Sequence, residues 1–279
     1  MNKNINMEMI SKILELTLTG MVRYFVITVP VFVVFYIVLK KNFKKLKIQE
    51  REAKKKDFLH EISNSLVSLL VMAVIAVLTI FTPIIHYTQF YTGNEYPLWW
   101  SFVAAFIALI VHDTYFYWMH RIVHHRKIFK YVHLTHHKST NPSPFASYSF
   151  HAFEAIAEAL ILPIVLFIIP MNPLSIFLFI LGGFIINVYG HLGFEIMPKW
   201  FRHSFLFEVL NTSTHHNMHH SKFKGNYGLY LRVWDRMMGT EHPDYVKTYD
   251  KIQEKRFGEE NKSVKVPLTV KRKIGKNLL

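Results

Sequence analysis

The sequence predicts an all-α integral membrane protein. Four to five transmembrane or re-entrant helices would carry a cytosolic helical cap that holds a His-rich dinuclear metal site. Three observations predict this. Of the 279 residues, 51% are hydrophobic, and they gather in long runs. Lysine and arginine cluster between some of these runs and are missing between others. Of the 17 histidines, 14 lie between His112 and His220, in short repeated spacings.

The runs come first. A span needs about 20 apolar residues to cross about 30 Å of hydrocarbon. Met21 to Val38 is almost uninterrupted, and Leu66 to Ile85 is another such run. Leu98 to Val111 qualifies if its helix extends through Tyr117. Ala155–Ile169 and Leu174–Tyr189 flank Pro170-Met-Asn-Pro173 and read as a helical hairpin, either two full spans or one partly re-entrant unit. Residues 1–279 are therefore expected to form a single membrane domain. Within it, 21–119 hold three transmembrane helices and the basic loop 40–56. Residues 120–154 are a cytosolic histidine segment, 155–195 the hairpin, and 196–279 a cytosolic C-terminal cap. The first run is too long for a signal-peptide core and lacks a small-residue cleavage site, so it is expected to be retained.

Net charge is +14, which by itself would suit nucleic acid. Its placement argues for a membrane and against nucleic acid. Nine Lys/Arg lie in Lys40–Lys56, none in His86–Pro97, and the tail from Lys247 is basic again. Basic loops stay on the cytoplasmic side. The reading is a multi-pass protein of a bacterial inner membrane or the endoplasmic reticulum. Its N-terminus would be outside, with the histidine segments and C-terminus in the cytoplasm. The chain has no cysteine, which excludes disulfides, thiolate haem ligation and Cys-held iron–sulfur clusters within it.

The histidines recur as His-x-x-His-His at His133/His136/His137 and at His216/His219/His220. His120-x-x-x-His124 precedes them. Positions i, i+3 and i+4 share a helix face, so each triplet is expected to aim three nitrogens at one point. Eight imidazoles exceed one ion and suit two. His191 ends the last run, with Asn187 one turn before it. Imidazole binds iron, zinc and copper alike, so the spacing leaves the metal open. The Glu-x-x-His pattern of carboxylate-bridged di-iron bundles is absent, which leaves an all-nitrogen dinuclear site, and iron would give it oxygen chemistry. Ligating histidines usually donate their second N–H to a carboxylate, carbonyl or water. Asp113, His112, His151, Glu154 and Asp235 are the expected supporting groups, with Glu158 a further candidate. His215 is either a ligand or a wall residue. His125 is expected in solvent, and His60, His86 and His242 are expected to be structural or surface residues.

Together these residues carry a resemblance. His120-Arg-x-x-His124, His133-x-x-His136-His137, Pro144-Phe-Ala-Ser147, Phe150-His-x-x-Glu154 and His216-x-x-His219-His220 stand in order, followed by Asn226-Tyr-Gly228 and Trp234-Asp-Arg-x-x-Gly-Thr240. The chain resembles the fatty acid hydroxylase / sterol desaturase superfamily over roughly His112 to Thr240. The resemblance implies two iron ions held by His120, His124, His133, His136, His137, His191, His216, His219 and His220. It implies O₂ as co-substrate and hydroxylation or desaturation of an alkyl C–H bond in a lipid such as a sterol, fatty acyl or ether lipid. A carotenoid hydroxylase stays open within the same class, and a metal-handling membrane protein outside it. Asn187 stands where related enzymes carry another histidine, or an asparagine that holds a metal-bound water. Some members carry a fused cytochrome b5 domain with His-Pro-Gly-Gly. Here the only His-Pro is His242-Pro-Asp-Tyr. A separate electron donor of ferredoxin or cytochrome b5 type, with its reductase, is expected.

Overall fold

A computed structural model describes residues 3–258. Among them the regular structure is helical, with isolated β-bridges and no strand. Residues 259–279 of the expected C-terminal cap lie outside the described residues. Four helices are long and apolar enough to cross a membrane, the lower of the two counts expected.

The first, α1, spans Lys3–Phe32 and continues as a π-helix over Val33–Val38. Its apolar stretch begins at Met7, well before Met21. The reason is a periodic stripe: Met7, Ile10, Leu14, Leu18, Val22 and Val26 recur every three or four residues and all face outward. That is the pattern of a helix wetted by lipid. Lys12 and Glu15 interrupt it but pair with each other at 2.9 Å. Pro30 lies inside the helix and removes one backbone donor; the wider π turn follows it.

The second helix, α2, covers Lys55–Ile80. It starts earlier than Leu66 because Asp57 Oδ2 accepts the Lys54 N–H at 2.8 Å and caps it. It stops before Ile85 because Thr82-Pro83 opens a 3₁₀ turn. Helix α3, Leu98–Val123, runs from the loop 88–97 through His120 without a break. Two single turns follow, α4 at Phe129–Val132 and α5 at Leu134–His137.

The hairpin resolves into unequal arms. Its first arm is broken at Leu160 into α6, Ala152–Ala159, and α7, Ile161–Ile168, of 8 residues each. An 8-residue helix is about 12 Å long and spans nothing. The return arm, α8, is a continuous Pro173–Gly190. Ala104, Ala105 and Ala108 of α3 are buried against Val165, Leu166, Ile176 and Phe179 of α7 and α8. Small side chains let these helices approach closely, as membrane packing requires. The cap adds α9 (Phe205–Val209), α10 (Ser213–Lys222), α11 (Val233–Met237) and α12 (Tyr245–Phe257).

Two buried groups tie the cap to the spans. Glu61 of α2 accepts from the Ser143 hydroxyl. The Phe145 carbonyl accepts from Tyr24 of α1 at 2.8 Å and from Ser65 of α2 at 2.9 Å. The segment after the first His-x-x-His-His is thereby held on the α1–α2 pair.

Candidate metal centre

Nine imidazoles gather into two adjacent groups. His120, His124, His133, His137 and His219 form one; His136, His191, His216 and His220 form the other. Within each group the ligand atoms lie within 4.8 Å of one another. All but the half-buried His124 are buried.

The grouping corrects one expectation. No triplet aims at a single point. His133 and His137 join one group while His136 joins the other; His216 and His220 join one while His219 joins the other. Helix geometry explains it. Successive residues turn by about 100°, so i and i+4 are about 40° apart while i+3 and i+4 are about 100° apart. Each motif therefore sends its i, i+4 pair to one group and its middle histidine across to the other. Both α5 and α10 feed both groups.

The Nε2 atoms face one another. His120 and His133 are 3.0 Å apart, His137 and His219 3.0 Å, His124 and His137 3.1 Å, and His124 and His219 3.2 Å. In the second group His191 stands 3.0 Å from His216 and 3.2 Å from His220, with His216 and His220 at 3.2 Å. The opposite nitrogens point outward to acceptors. His120 Nδ1 donates to Tyr227 O at 2.8 Å, His219 Nδ1 to Gly225 O at 2.8 Å, and His133 Nδ1 to Glu154 Oε1 at 2.6 Å. His136 Nδ1 donates to Ser149 O at 3.2 Å and His191 Nδ1 to Asn187 O at 2.9 Å. A carbonyl can only accept, so the four rings that meet one carry their proton on Nδ1, and His133 does so when it donates to the Glu154 carboxylate.

That tautomer leaves bare lone pairs at Nε2. His120 and His133 then confront each other, lone pair to lone pair, at 3.0 Å. Protonating the rings is no remedy. Burial, reinforced by the neighbouring histidines, holds His133, His136, His216 and His220 far below the ordinary histidine value. Burial brings His191 and His219 down to about 4. Converging neutral acceptors in a dry interior repel, and a cation between them removes the repulsion. The donor set fits a metal ion in each group.

The supporting groups divide. Glu154 holds His133, as expected. Asp113 and Asp235 touch no grouped imidazole; both hold the loop before α11. Asp113 Oδ1 accepts from the Tyr230 and Leu231 N–H at 2.7 and 3.1 Å. Asp235 accepts from the Tyr227 and Gly228 N–H at 2.9 and 2.7 Å. That loop presents the Gly225 and Tyr227 carbonyls. Gly225 has φ +82°, and a Cβ there would meet Thr240 O at 2.6 Å, so only glycine fits. His151 caps α6 through its Nδ1 and His112 pairs with the Tyr230 hydroxyl at 2.9 Å; neither reaches the groups. His215 is fully buried beside Asp235 at 3.9 Å but belongs to neither group. The Asn187 amide donates to Ser147 O at 2.7 Å, and its backbone carbonyl orients His191. His125 and His86 are exposed, and His60 Nε2 bonds to Thr135 O at 3.1 Å.

A cavity of about 200 Å³ lies in the helical bundle below the imidazoles. Gly20, Ala73, Leu162, Phe179 and Phe184 contribute walls from α1, α2, α7 and α8. Phe150 and Asn187 also line it. Phe150 has its ring 5.0 Å from that of His136, so one side-chain layer separates the cavity from the second group.

The fold and site define a multi-pass helical membrane protein with two adjacent, buried, all-imidazole groups able to hold metal. The profile of a family described as "Fatty acid hydroxylase" matches residues 105–240. A Delta(7)-sterol 5(6)-desaturase of Gibberella zeae is 33% identical over 172 residues, 61% of this chain and 47% of its own length. The lathosterol oxidase of Rattus norvegicus is 33% identical over 165 residues, 56% of this chain and 52% of its own. A probable Delta(7)-sterol 5(6)-desaturase of Neurospora crassa is 29% identical over 247 residues, 86% and 67%. The chain spans about half the length of the first two relatives. No solved structure matches it. The chain belongs to the fatty acid hydroxylase / sterol desaturase superfamily.

Proposed function

We propose that this chain is a membrane-bound, O₂-dependent di-iron oxygenase that hydroxylates or desaturates an alkyl C–H bond of a lipid. The observation that carries the proposal is the pair of buried imidazole groups, with facing Nε2 atoms, at the head of an apolar cavity. The names of the relatives, sterol desaturase and lathosterol oxidase, favour a ring lipid of the sterol kind and desaturation over simple hydroxylation.

The nine histidines would be the ligands. Nitrogens about 2.1 Å from one ion stand about 3.0 Å apart at right angles and about 3.4 Å apart in a tetrahedron. The edges of 3.0 to 3.2 Å fall between these values, as nitrogens that share one ion would. Bound iron supplies the activation of O₂ and the removal of hydrogen from an unactivated carbon. The chain's own task is positional. Tyr227, Gly225, Ser149 and Asn187 carbonyls and Glu154 fix five of the nine ring tautomers, turning the Nε2 lone pairs of His120, His219, His136, His191 and His133 inward. The cavity walls hold an alkyl segment against the second group and keep water out. No side chain is required as a general base.

In this reading the imidazoles and the C-terminus are cytoplasmic and the N-terminus is outside, a topology supported by the apolar helices and the basic segments. A separate reduced donor, of ferredoxin or cytochrome b5 type, would dock on the basic cytoplasmic face around Lys40–Lys56. Turnover with an acidic donor should therefore slow as salt rises past about 0.1 M, where screening sets in within about 10 Å. Rates insensitive to salt would rule out docking by charge.

Glu154→Ala removes the carboxylate behind His133. Metal affinity should fall by about 10–100-fold, read by competition with a chelator of known affinity. The test of the whole reading is metal content and oxygen uptake on one detergent-purified sample given reductant and lipid extract. Two irons per chain with lipid-dependent uptake, and a lipid product heavier by one oxygen or lighter by two hydrogens, is the expected result. Bound metal with no oxygen uptake in an iron-loaded sample would overturn the oxygenase reading and favour metal handling.

A further inference from the structure

The cavity carries polar groups that the metal reading leaves idle. Its walls are mostly apolar, yet Arg23, His112, Glu158 and Tyr230 all line it. None belongs to the imidazole groups. The Tyr230 hydroxyl and His112 Nδ1 bond to each other at 2.9 Å, and His112 Nε2 is left buried without a partner. Arg23 Nε is likewise buried and unpartnered. Glu158 is only 8% exposed, on the wall of the same cavity. Ala157, its neighbour on α6, packs in one cluster with Tyr230, and both Glu158 and Tyr230 line the cavity. An unpaired polar group in a dry interior costs several kcal/mol. Ionisable groups kept inside a membrane bundle commonly mark the path of a ligand.

We propose that Glu158, with the His112–Tyr230 pair, reads a hydroxyl group on a neutral amphiphilic lipid and so sets which carbon faces the imidazole groups. This rests on the lipid-oxidising reading above and names the substrate feature that the same site selects. The hydrogen-bond inventory carries it. With Tyr230 donating to Nδ1, His112 offers an Nε2–H donor, while Glu158 offers acceptor oxygens. An alcohol donates and accepts at one oxygen and satisfies both. An alkane satisfies neither. Burial pushes the Glu158 carboxyl up to about 8, so the cavity disfavours negative charge; a carboxylate ligand would bring one in, and a neutral ligand does not. The polar pair sits two turns of α3 before His120, so the hydroxyl end is held away from the metal groups while the hydrocarbon extends toward them.

The test measures binding of tritiated probes to the full chain in detergent micelles. The probes are cholestanol against cholestane, and hexadecan-1-ol against hexadecane and palmitate. In at least one skeleton the alcohol should bind about fivefold or more tighter than its alkane, the scale of one or two neutral hydrogen bonds. Glu158→Leu should bring that ratio to about one. Glu158→Gln, which keeps a hydrogen-bonding amide, should restore part of it, and Tyr230→Phe should lower it. Iron content should not change in any of the three. Equal binding of alcohol and alkane in both skeletons overturns the proposal. So does tighter binding of palmitate, or a ratio that survives Glu158→Leu. Oxygen uptake on the same preparation separates the two claims. Lipid-dependent uptake without an alcohol preference sinks this proposal alone. A Glu158-dependent alcohol preference without uptake sinks the oxygenase reading alone.

Discussion

His219→Ala is expected to reduce bound metal from about two ions to about one per chain and to bring lipid oxidation down to the background rate, with the helical fold retained. His219 is the corner that closes the five-membered group. Its Nε2 stands 3.0 Å from His137 and 3.2 Å from His124, and its ring packs 4.4 Å from His120. Its Nδ1 is spent on Gly225 O, so the ring has one orientation and no other task. The control lies on the same helix. His215 is just as buried but faces Asp235 and Tyr245. His215→Ala removes as much ring volume from α10 and should keep both ions. Elemental analysis of the two variants, with circular dichroism to confirm the helices, makes the comparison. Equal metal loss in both would mean that α10 fails as a unit and that the groups are not the sites.

Much of this was legible in the residues. The return arm of the hairpin and the long third helix follow from uninterrupted apolar runs, because a span must satisfy its backbone internally. The histidine types and spacings marked the region that forms the groups. What was not legible has definite causes. The early start of α1 was hidden by Lys12 and Glu15, whose cost is lowered once they pair across one helical turn. The unequal hairpin depends on a break at Leu160 that no glycine announces, with Pro163 just beyond it inside α7. The split of each His-x-x-His-His between two groups is implicit in 100° per residue but shows only when a second set of ligands is there to receive the middle ring.

The supporting groups were the least visible. Four of the five Nδ1 acceptors are main-chain carbonyls, and a carbonyl has no residue type to mark it. Glu154 alone could be picked out, by its carboxylate. Asp113 and Asp235 were expected to accept the second N–H of ligating histidines. Their partners, however, are backbone N–H groups of one loop. The carboxylates act on the imidazoles at one remove, by fixing the loop whose carbonyls the rings address. Glu61, Ser65 and Tyr24 were missed altogether, since each is a polar residue on a lipid-spanning helix whose partner lies about 80 residues or more away.

That indirect arrangement leads to the second large effect, Asp235→Ala. The side chain is completely buried and accepts from Tyr227 N–H, Gly228 N–H and the Thr240 hydroxyl. Its removal strands two buried backbone donors, at about 1–3 kcal/mol each. The loop then loses its register, and with it the carbonyls of Gly225 and Tyr227 that orient His219 and His120. Both rings belong to the five-membered group. Affinity for the metal there should fall by about 10–100-fold, while the four-membered group, held by Ser149 and Asn187 carbonyls, keeps its ion. Asp113→Ala loosens the same loop further along, at Tyr230 and Leu231, where no carbonyl meets an imidazole. It should leave the metal affinity of both groups near wild type and disturb the lipid cavity that Tyr230 lines. Chelator competition on the two variants reads the difference. If Asp113→Ala stripped metal as readily as Asp235→Ala, the loop would act as one body and the division between its metal-facing and lipid-facing ends would be wrong.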